Sequence, residues 1–135
     1  MSAEGMGMPL RFSCGDGPYR VEALLVHAGE DVVIVVGGGT RPHVGALGIF
    51  VPEEPESSGK PFVRKGHRED EVVRRILRAV ESRVRGAAVV TAGIHIDAAT
   101  PGEIRRLLAH VDCLAEDIAR YLERNLRAAD NRKGR

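Results

Sequence analysis

The feature that most constrains the fold is an apolar run that ends in three glycines. Residues 32–36 contain only valine and isoleucine, and residues 37–39 are all glycine. A continuous β-branched run is typical of a strand covered on both faces, so we expect this segment in the interior of a sheet. Glycines leave the backbone N–H groups open to a ligand, and Arg41 and His43 follow directly. The segment therefore predicts either an anion-binding loop, most often for phosphate, or a plain glycine-rich turn.

Composition narrows the classes of protein. The chain has 135 residues, a formal net charge of +1 and only 4% aromatic residues. It is long enough for one domain with a core of its own. Such a balanced charge provides no bulk attraction to nucleic acid or to an anionic membrane, and scarce aromatics argue against single-stranded nucleic acid, which stacks on them. We expect no nucleic-acid partner and no membrane partner.

Targeting and redox signals favour a cytoplasmic location. The first residues lack the basic and apolar regions of a signal peptide, and no apolar run approaches the roughly 20 residues of a membrane span. Cys14 and Cys113 lie far apart in the sequence and match no zinc-finger spacing. We interpret them as free thiols in a reducing compartment.

The pattern of elements predicts a single α/β domain at residues 9–127, between a disordered N-terminus at 1–8 and a flexible basic tail at 128–135. Two amphipathic helices are expected to pack on one face of an antiparallel or mixed sheet of about five to six strands, as a two-layer sandwich. Strands are expected at residues 10–13, 19–27, 32–36, 44–51, 62–64 and 87–96.

Periodicity and capping signals place the two helices. In the first helix, Val72, Ile76, Val80 and Val84 repeat every four residues, and Gly86 is the expected stop. The second begins at a capping box, with Thr100 as N-cap and Glu103 three residues later, and its apolar stripe extends from residue 104 to 122.

Three polar clusters follow apolar strands, each pairing a glycine with a histidine. The first is the glycine segment, the second contains Lys65 and His67 just before the first helix, and the third contains His95 and Asp97. Strand ends beside helix N-termini are common ligand sites, so the clusters predict a shared pocket. Each cluster also has a structural interpretation: a solvated turn, a capped helix start, or a histidine held by a hydrogen bond to the neighbouring carboxylate.

Catalytic chemistry has weaker support in the sequence. Histidine and carboxylate side chains suit zinc, but no local pair of them has helical ligand spacing. The chain contains neither a nucleophile elbow nor a P-loop signature. We therefore assign no catalytic residue and no metal ligand.

The three clusters together resemble the LpdD-like prenylated-flavin chaperones, over roughly residues 10–125. The matching strings are GGTRPHVGA at 38–46, GHREDE at 66–71 and GIHIDAATP at 93–101. This family accompanies decarboxylases that use prenylated FMN, is related in fold to the proteasome assembly chaperones, and is usually dimeric. The resemblance implies a non-catalytic homodimer that binds prenylated FMN, or FMN, and assists its maturation or its delivery to a UbiD-type decarboxylase.

The resemblance also implies a set of cofactor-binding residues, to which the helix start adds Lys65. We expect Arg41 and the glycine N–H groups to bind the phosphate, and the histidines to lie around the polar edges of the flavin. Tyr19, Phe50 and Phe62 are the aromatic residues available for stacking on the ring. The complete set of cofactor-binding candidates is Gly38, Gly39, Arg41, His43, Gly45, Lys65, His67, Glu69, His95 and Asp97.

Two other classes of function stay open. One is an assembly scaffold that works through a sheet or helix face without a ligand. The other is a metal-assisted hydrolase that uses His67, His95 and Asp97.

Overall fold

The computed structural model describes residues 5–133, which form one six-stranded mixed sheet and two α-helices. This architecture confirms the predicted α/β sandwich. The elements in chain order are β1 (Leu10–Cys14), β2 (Val21–Ala28), β3 (Asp31–Gly39), β4 (Ala46–Phe50), β5 (Phe62–Val63), α1 (Asp70–Val80), β6 (Ala88–His95) and α2 (Pro101–Lys133).

The sheet has the strand order β1-β2-β3-β6-β4-β5. β3 and β6 pair in parallel, whereas each of the other neighbouring pairs is antiparallel. Because β3 and β6 run in the same direction, the glycines that end β3 and the His95 that ends β6 lie at the same edge of the sheet. Parallel pairing thus brings together two of the predicted clusters.

Both helices pack on one face of the sheet and form the core with it. The largest fully buried side chains come from β2, β3, β6, α1 and α2 alike, and they are aliphatic. They are Leu25, Ile34, Ile76, Leu77, Leu114, Ile118, Val21, Val36, Val73, Val80, Val90 and Val111.

The prediction that β3 is covered on both faces is wrong. Alternate residues of β3 are exposed, Val33 by 37% and Val35 by 43%, and Leu47 and Ile49 on β4 are exposed as well. Both helices pack against the opposite face of the sheet, so β-branched residues on this face reflect strand preference rather than burial. The sheet therefore has an open apolar face, which includes Val33, Val35, Leu47 and Ile49.

Residues 37–39 belong to a strand, whereas residues 40–45 form the connection between β3 and β4. β3 continues to Gly39, and Gly38 pairs with Val21 on one side and Ile94 on the other. A Cβ atom on Gly38 or Gly39 would collide with the backbone of a neighbouring segment. These glycines therefore allow close packing of neighbouring strands. A run of glycines after a strand is also typical of ligand-binding loops, so the sequence pattern does not distinguish the two roles.

The helix boundaries differ from the predictions at two ends. α1 ends at Val80 and a 3-10 turn follows at Glu81–Arg83, so Val84 lies outside the helix although it continues the four-residue repeat. α2 includes residues 128–133, which we predicted to be a flexible tail, and Asp130 in its last turns forms a salt bridge with Arg85. The tail residues 134–135 and residues 1–4 lie outside the described residues, while Met6 of the predicted N-terminal tail bridges to Ala28.

The predicted capping box at the start of α2 is confirmed. The backbone N–H of Glu103 donates to Thr100 Oγ1 over 3.2 Å, and the N–H of Thr100 donates to Glu103 Oε1 over 3.0 Å. Two otherwise unpaired donors of the first turn are thereby satisfied. The cap fixes where α2 begins, beside the end of β6.

Candidate functional site

A cavity of about 730 Å³ lies at the edge where β3 and β6 end. Its walls come from the segment after β3, the segment before α1, the end of β6 and the first turns of α2. The volume falls in the range of small-molecule sites, roughly 300–1,000 Å³. The lining residues are Arg41, His43, Arg64, Gly66, His67, Arg68, Glu69, Glu71, Val72, Ile94, His95, Ile96, Ala99, Ile104, Leu107, Leu108 and Val111.

One wall holds a cluster of two histidines and a carboxylate, His43, His67 and Glu69, which we call the His–Glu cluster. His43 Nε2 lies 2.8 Å from Glu69 Oε1 and 3.3 Å from His67 Nδ1. His67 Nδ1 lies 3.4 Å from Glu69 Oε2. Three side chains from two segments, 24 and 26 residues apart in the sequence, thus converge on one point.

Two glycines make room for this cluster. A Cβ on Gly45 would occupy the space of the Glu69 carboxylate, and a Cβ on Gly93 would collide with the backbone of His43. The segment that carries His43 packs onto β6 through a hydrogen bond from the N–H of Gly45 to the Ala92 carbonyl, 2.8 Å. Close backbone packing therefore determines where His43 and Glu69 lie.

A second polar pair borders the cavity. His95 Nε2 lies 2.7 Å from Asp97 Oδ1, and this hydrogen bond from His95 lowers the pKa of Asp97. Asp97 follows the strand in a turn and is exposed, whereas His95 lines the cavity. The ring of His95 is 6.4 Å from that of His43, so the third predicted cluster adjoins the other two. The predicted hydrogen bond between the two side chains is confirmed.

Three arginines give the cavity a cationic mouth. Arg41, Arg64 and Arg68 line it, and all three are exposed. Arg64 donates through Nη1 to the Val44 carbonyl oxygen over 2.7 Å, which holds its side chain in place. Within residues 5–133, none of the salt bridges involves Arg41. Arg41 can therefore bind an external anion without first breaking an ion pair.

The structure brings together half of the predicted binding residues and places the others outside the cavity lining. Arg41, His43, His67, Glu69 and His95 line it. The predicted residues that do not line it are Gly38, Gly39, Gly45, Lys65 and Asp97.

The expected phosphate contact through glycine N–H groups meets a structural obstacle. The N–H of Gly39 donates to the Arg20 carbonyl over 3.1 Å, and that of Gly45 donates to the Ala92 carbonyl. These donors are used within the sheet and are not free for a ligand. The glycines act on the site indirectly, through packing.

Sequence reasoning missed the apolar floor and two of the arginines. Leu107 and Val111 of α2 are core residues, as the apolar stripe predicted, and with Leu108 they also form the base of the cavity, which the stripe did not indicate. Arg64 and Arg68 flank the predicted His67 in the sequence, which is the one signal that could have indicated them. The aromatic candidates Tyr19, Phe50 and Phe62 do not line the cavity. Among the described residues, its lining consists of aliphatic and polar side chains.

The two cysteines lie close together, away from this cavity. The Sγ atoms of Cys14 and Cys113 are 2.7 Å apart, with Asp117 Oδ2 3.6 Å from Cys14 Sγ. Burial raises the pKa of the Cys14 thiol to about 12. Both are free cysteines in the structure, as predicted, although their proximity could not be inferred from a separation of 99 residues.

The two helices of the described residues do not have the properties of membrane spans. Neither α1 nor α2, over the described residues, combines the length and the apolar character that a membrane-spanning helix needs.

Comparisons with known proteins agree with the resemblance seen in the sequence. The model of the prenylated flavin chaperone LpdD-like domain matches residues 15–123. Protein LpdD of Lactiplantibacillus plantarum is 29% identical over 114 residues, which cover 83% of this chain and 84% of that protein.

The fold also has a solved counterpart. A chain from the crystal structure of a novel chaperone complex for yeast 20S proteasome assembly superposes with a TM-score of 0.52. The two chains are 10% identical in sequence, and the match covers 86% of this chain and 97% of the other, so the likeness concerns the fold alone. From the family match over most of its length, the chain belongs to the LpdD-like prenylated flavin chaperone family.

Proposed function

We propose that this protein binds prenylated FMN, or FMN, as cargo in the cavity and assists its maturation or its delivery to a UbiD-type decarboxylase. The observation that carries this proposal is the two-sided lining of the cavity, with a cationic mouth above an aliphatic floor. A flavin mononucleotide has a matching division, because its phosphate is a dianion and its ring system is largely flat and apolar. The family's chaperone role supports the same conclusion.

The phosphate is proposed to lie at the mouth, on Arg41. Guanidinium groups bind phosphate through paired, charge-assisted hydrogen bonds. Arg64 and Arg68 stand at the same mouth and add positive charge. Since the glycine N–H groups donate within the sheet, we assign the phosphate contact to these side chains and not to the backbone.

The ring system is proposed to pack on the aliphatic floor. Ile94, Ile96 and Ile104 offer apolar surface, and burying it against the ring contributes by the hydrophobic effect rather than by aromatic stacking. His43, His67 and His95 then face the polar edges of the ring. Their imidazoles can donate or accept hydrogen bonds according to tautomer.

The protein contacts are proposed to use the open apolar face. Val33, Val35, Leu47 and Ile49 are exposed on one side of the sheet, and contiguous apolar surface of this kind often marks a protein interface. We propose a homodimer and a decarboxylase as the partners, in line with the family. The cavity lies at the edge of the sheet, so cargo and partner can be bound together.

A flavin titration tests the proposal. The purified protein is titrated with FMN and with prenylated FMN by flavin fluorescence, beside the Arg41→Ala variant. We expect Arg41→Ala to weaken binding by about 1.5–3 kcal/mol, roughly 10- to 150-fold, because a charge-assisted phosphate contact is lost. Arg11→Ala is the matched control, since Arg11 lies on β1 in a salt bridge with Glu22 and its loss removes the same charge.

Two results would contradict the proposal. Flat titrations for both flavins would remove cargo binding altogether. Capture of a decarboxylase without flavin, undiminished by Arg41→Ala, His43→Ala and His67→Ala but lost on Val35→Lys, would instead favour the assembly scaffold. Transfer of flavin from the loaded protein to an apo-decarboxylase, slowed by Val35→Lys, is the result that supports delivery.

A further inference from the structure

We infer that the His–Glu cluster of His43, His67 and Glu69 is a binding site for one divalent first-row transition-metal ion such as Zn²⁺. The three side chains offer two imidazole nitrogens and a carboxylate, and their ligand atoms all lie within 4.8 Å of one another. Two histidines with one carboxylate is a ligand set that such ions use where coordination positions stay open. His43 and His67 are also proposed to border the flavin ring, but the test of the metal site needs no flavin.

The distances between the donor atoms fit a single ion. Metal–nitrogen and metal–oxygen bonds of about 2.0–2.2 Å place neighbouring ligand atoms about 2.9 Å apart at a right angle and about 3.4 Å apart at a tetrahedral angle. His43 Nε2 lies 2.8 Å from Glu69 Oε1 and 3.3 Å from His67 Nδ1, and His67 Nδ1 lies 3.4 Å from the other carboxylate oxygen, Glu69 Oε2. The two imidazole nitrogens and a carboxylate that offers both oxygens are thus spaced to share one ion.

The second nitrogen of His43 supports the same assignment. His43 Nδ1 lies 3.2 Å from the Arg41 carbonyl oxygen, which can only accept a hydrogen bond. If Nδ1 carries the proton, Nε2 of the neutral ring presents a lone pair toward Glu69 Oε1, which also presents lone pairs. A cation bound to both atoms, either a metal ion beside them or a proton on Nε2, removes this repulsion. A backbone carbonyl that fixes the tautomer is also the usual outer partner of a metal-binding histidine.

The side chains of the cluster are mostly buried, yet they can be reached from the cavity. The side chain of Glu69 is only 11% exposed, and those of His43 and His67 are 22% and 28% exposed. All three line the cavity, so an ion held by them would have its remaining positions directed toward that space. Water or an anionic oxygen could fill those positions, beside the arginines of the mouth.

Metal titration of the flavin-free protein tests the inference. The protein is made without a polyhistidine tag, stripped with a chelator and titrated with Zn²⁺ by calorimetry and with Co²⁺ by absorption. We expect one ion per chain, and we expect His67→Ala and Glu69→Gln each to weaken binding by more than the roughly 10- to 100-fold that loss of an outer hydrogen-bond partner causes, because each removes a ligand. His110→Ala is the matched control, because His110 bonds the Tyr19 carbonyl away from the cluster.

A second group of potential ligands must be removed first. Cys14, Cys113 and Asp117 are also spaced for a metal ion, so the titrations use a Cys113→Ser background. Thiolate ligation would give Co²⁺ an intense sulfur-to-metal charge-transfer band, which the His–Glu cluster cannot produce.

The outcomes separate cleanly. Binding that persists in the Cys113→Ser protein and is lost in both cluster variants supports the site. Binding that survives Glu69→Gln, or that disappears with Cys113→Ser alone, overturns it. Because no flavin is present, a failed metal titration leaves the flavin proposal standing, and a failed flavin titration leaves the metal site standing.

Discussion

Two histidines at opposite ends of the sheet show what distinguishes a structural histidine from a candidate site residue. His27, near the end of β2, is 5% exposed, and its Nε2 lies 2.8 Å from the hydroxyl of Tyr121 on α2. His43, beyond the end of β3, meets His67 and the carboxylate of Glu69 beside a cavity. One has a single neutral partner in the core, and the other has several partners and free space.

The two environments differ in polarity. Burial lowers the pKa of His27, because the core disfavours the charged ring, and a neutral hydroxyl does not compensate. The partners of His43 are a carboxylate and a second imidazole. A histidine that follows an apolar strand is therefore uninformative alone, and convergence with polar groups from a different segment is the useful signal.

The largest effect is expected from His27→Ala. Removal of this buried ring leaves a cavity and an unpaired Tyr121 hydroxyl, so we expect the free energy of unfolding to fall by about 2–4 kcal/mol. His67→Ala, at the partly exposed cluster, should cost less than about 1 kcal/mol. Urea unfolding of both variants measures the two changes.

Ligand binding should rank these variants in the reverse order. His27→Ala is expected to retain metal and flavin affinity where it is folded, and His67→Ala to lose metal affinity. The comparison fails if His67→Ala destabilises the fold as much as His27→Ala does.

A smaller effect on stability is expected from Gly45→Ala, which tests the packing beneath the cluster. The new methyl group would occupy the space of the Glu69 carboxylate, and that carboxylate can swing away because it ends a flexible side chain. We expect stability to change by less than about 1 kcal/mol, while metal affinity falls as it does in Glu69→Gln. Calorimetric metal titration and urea unfolding measure the two effects.

Gly59→Ala is the matched control for this substitution, since a Cβ there has nothing within 4 Å. Unchanged metal affinity in Gly45→Ala would show that Glu69 is not a ligand. A drop in affinity in Gly59→Ala would show that the effect is not local.

The last prediction concerns pH and His27. Its folded pKa lies below the ordinary value of 6.5, so between these two values the unfolded chain binds more protons than the folded one. Its contribution to stability is therefore full above pH 6.5 and is lost as the pH falls toward the folded pKa, with a slope of at most about 1.4 kcal/mol per pH unit. Unfolding of the wild type and of His27→Gln from pH 7.5 to about pH 5 measures the slope.

The substitution should flatten that part of the profile, because glutamine does not titrate in this range. Identical slopes in the two proteins would assign the acid sensitivity to groups other than His27.

Most of the fold could be predicted from local patterns. The capping box at Thr100 and Glu103 and the four-residue repeat up to Val80 placed the helices, since caps and amphipathic stripes depend on neighbours along the chain. The same repeat failed at Val84, where the helix gives way to a 3-10 turn. The coverage of β3 was also predicted wrongly, because an apolar strand does not reveal how many layers pack on it.

The candidate site was predicted less completely, for a related reason. The glycines beside Arg41 suggested a phosphate loop, yet the structure uses Gly38 and Gly39 for strand packing and Gly45 for the placement of Glu69. Leu107 and its neighbours are core residues, and that they also form the base of a cavity could not be inferred until α2 was placed.

The sequence by itself determined the elements, the α/β class and the family, because periodicity, caps and motif strings are local or linear properties. Only the tertiary structure decided that one face of the sheet is open and that His43, His67 and Glu69 share one point. Parallel pairing of β3 with β6 and the close packing at Gly45 and Gly93 bring those segments together. Such contacts depend on distances between residues far apart in the chain, which the order of residues does not state.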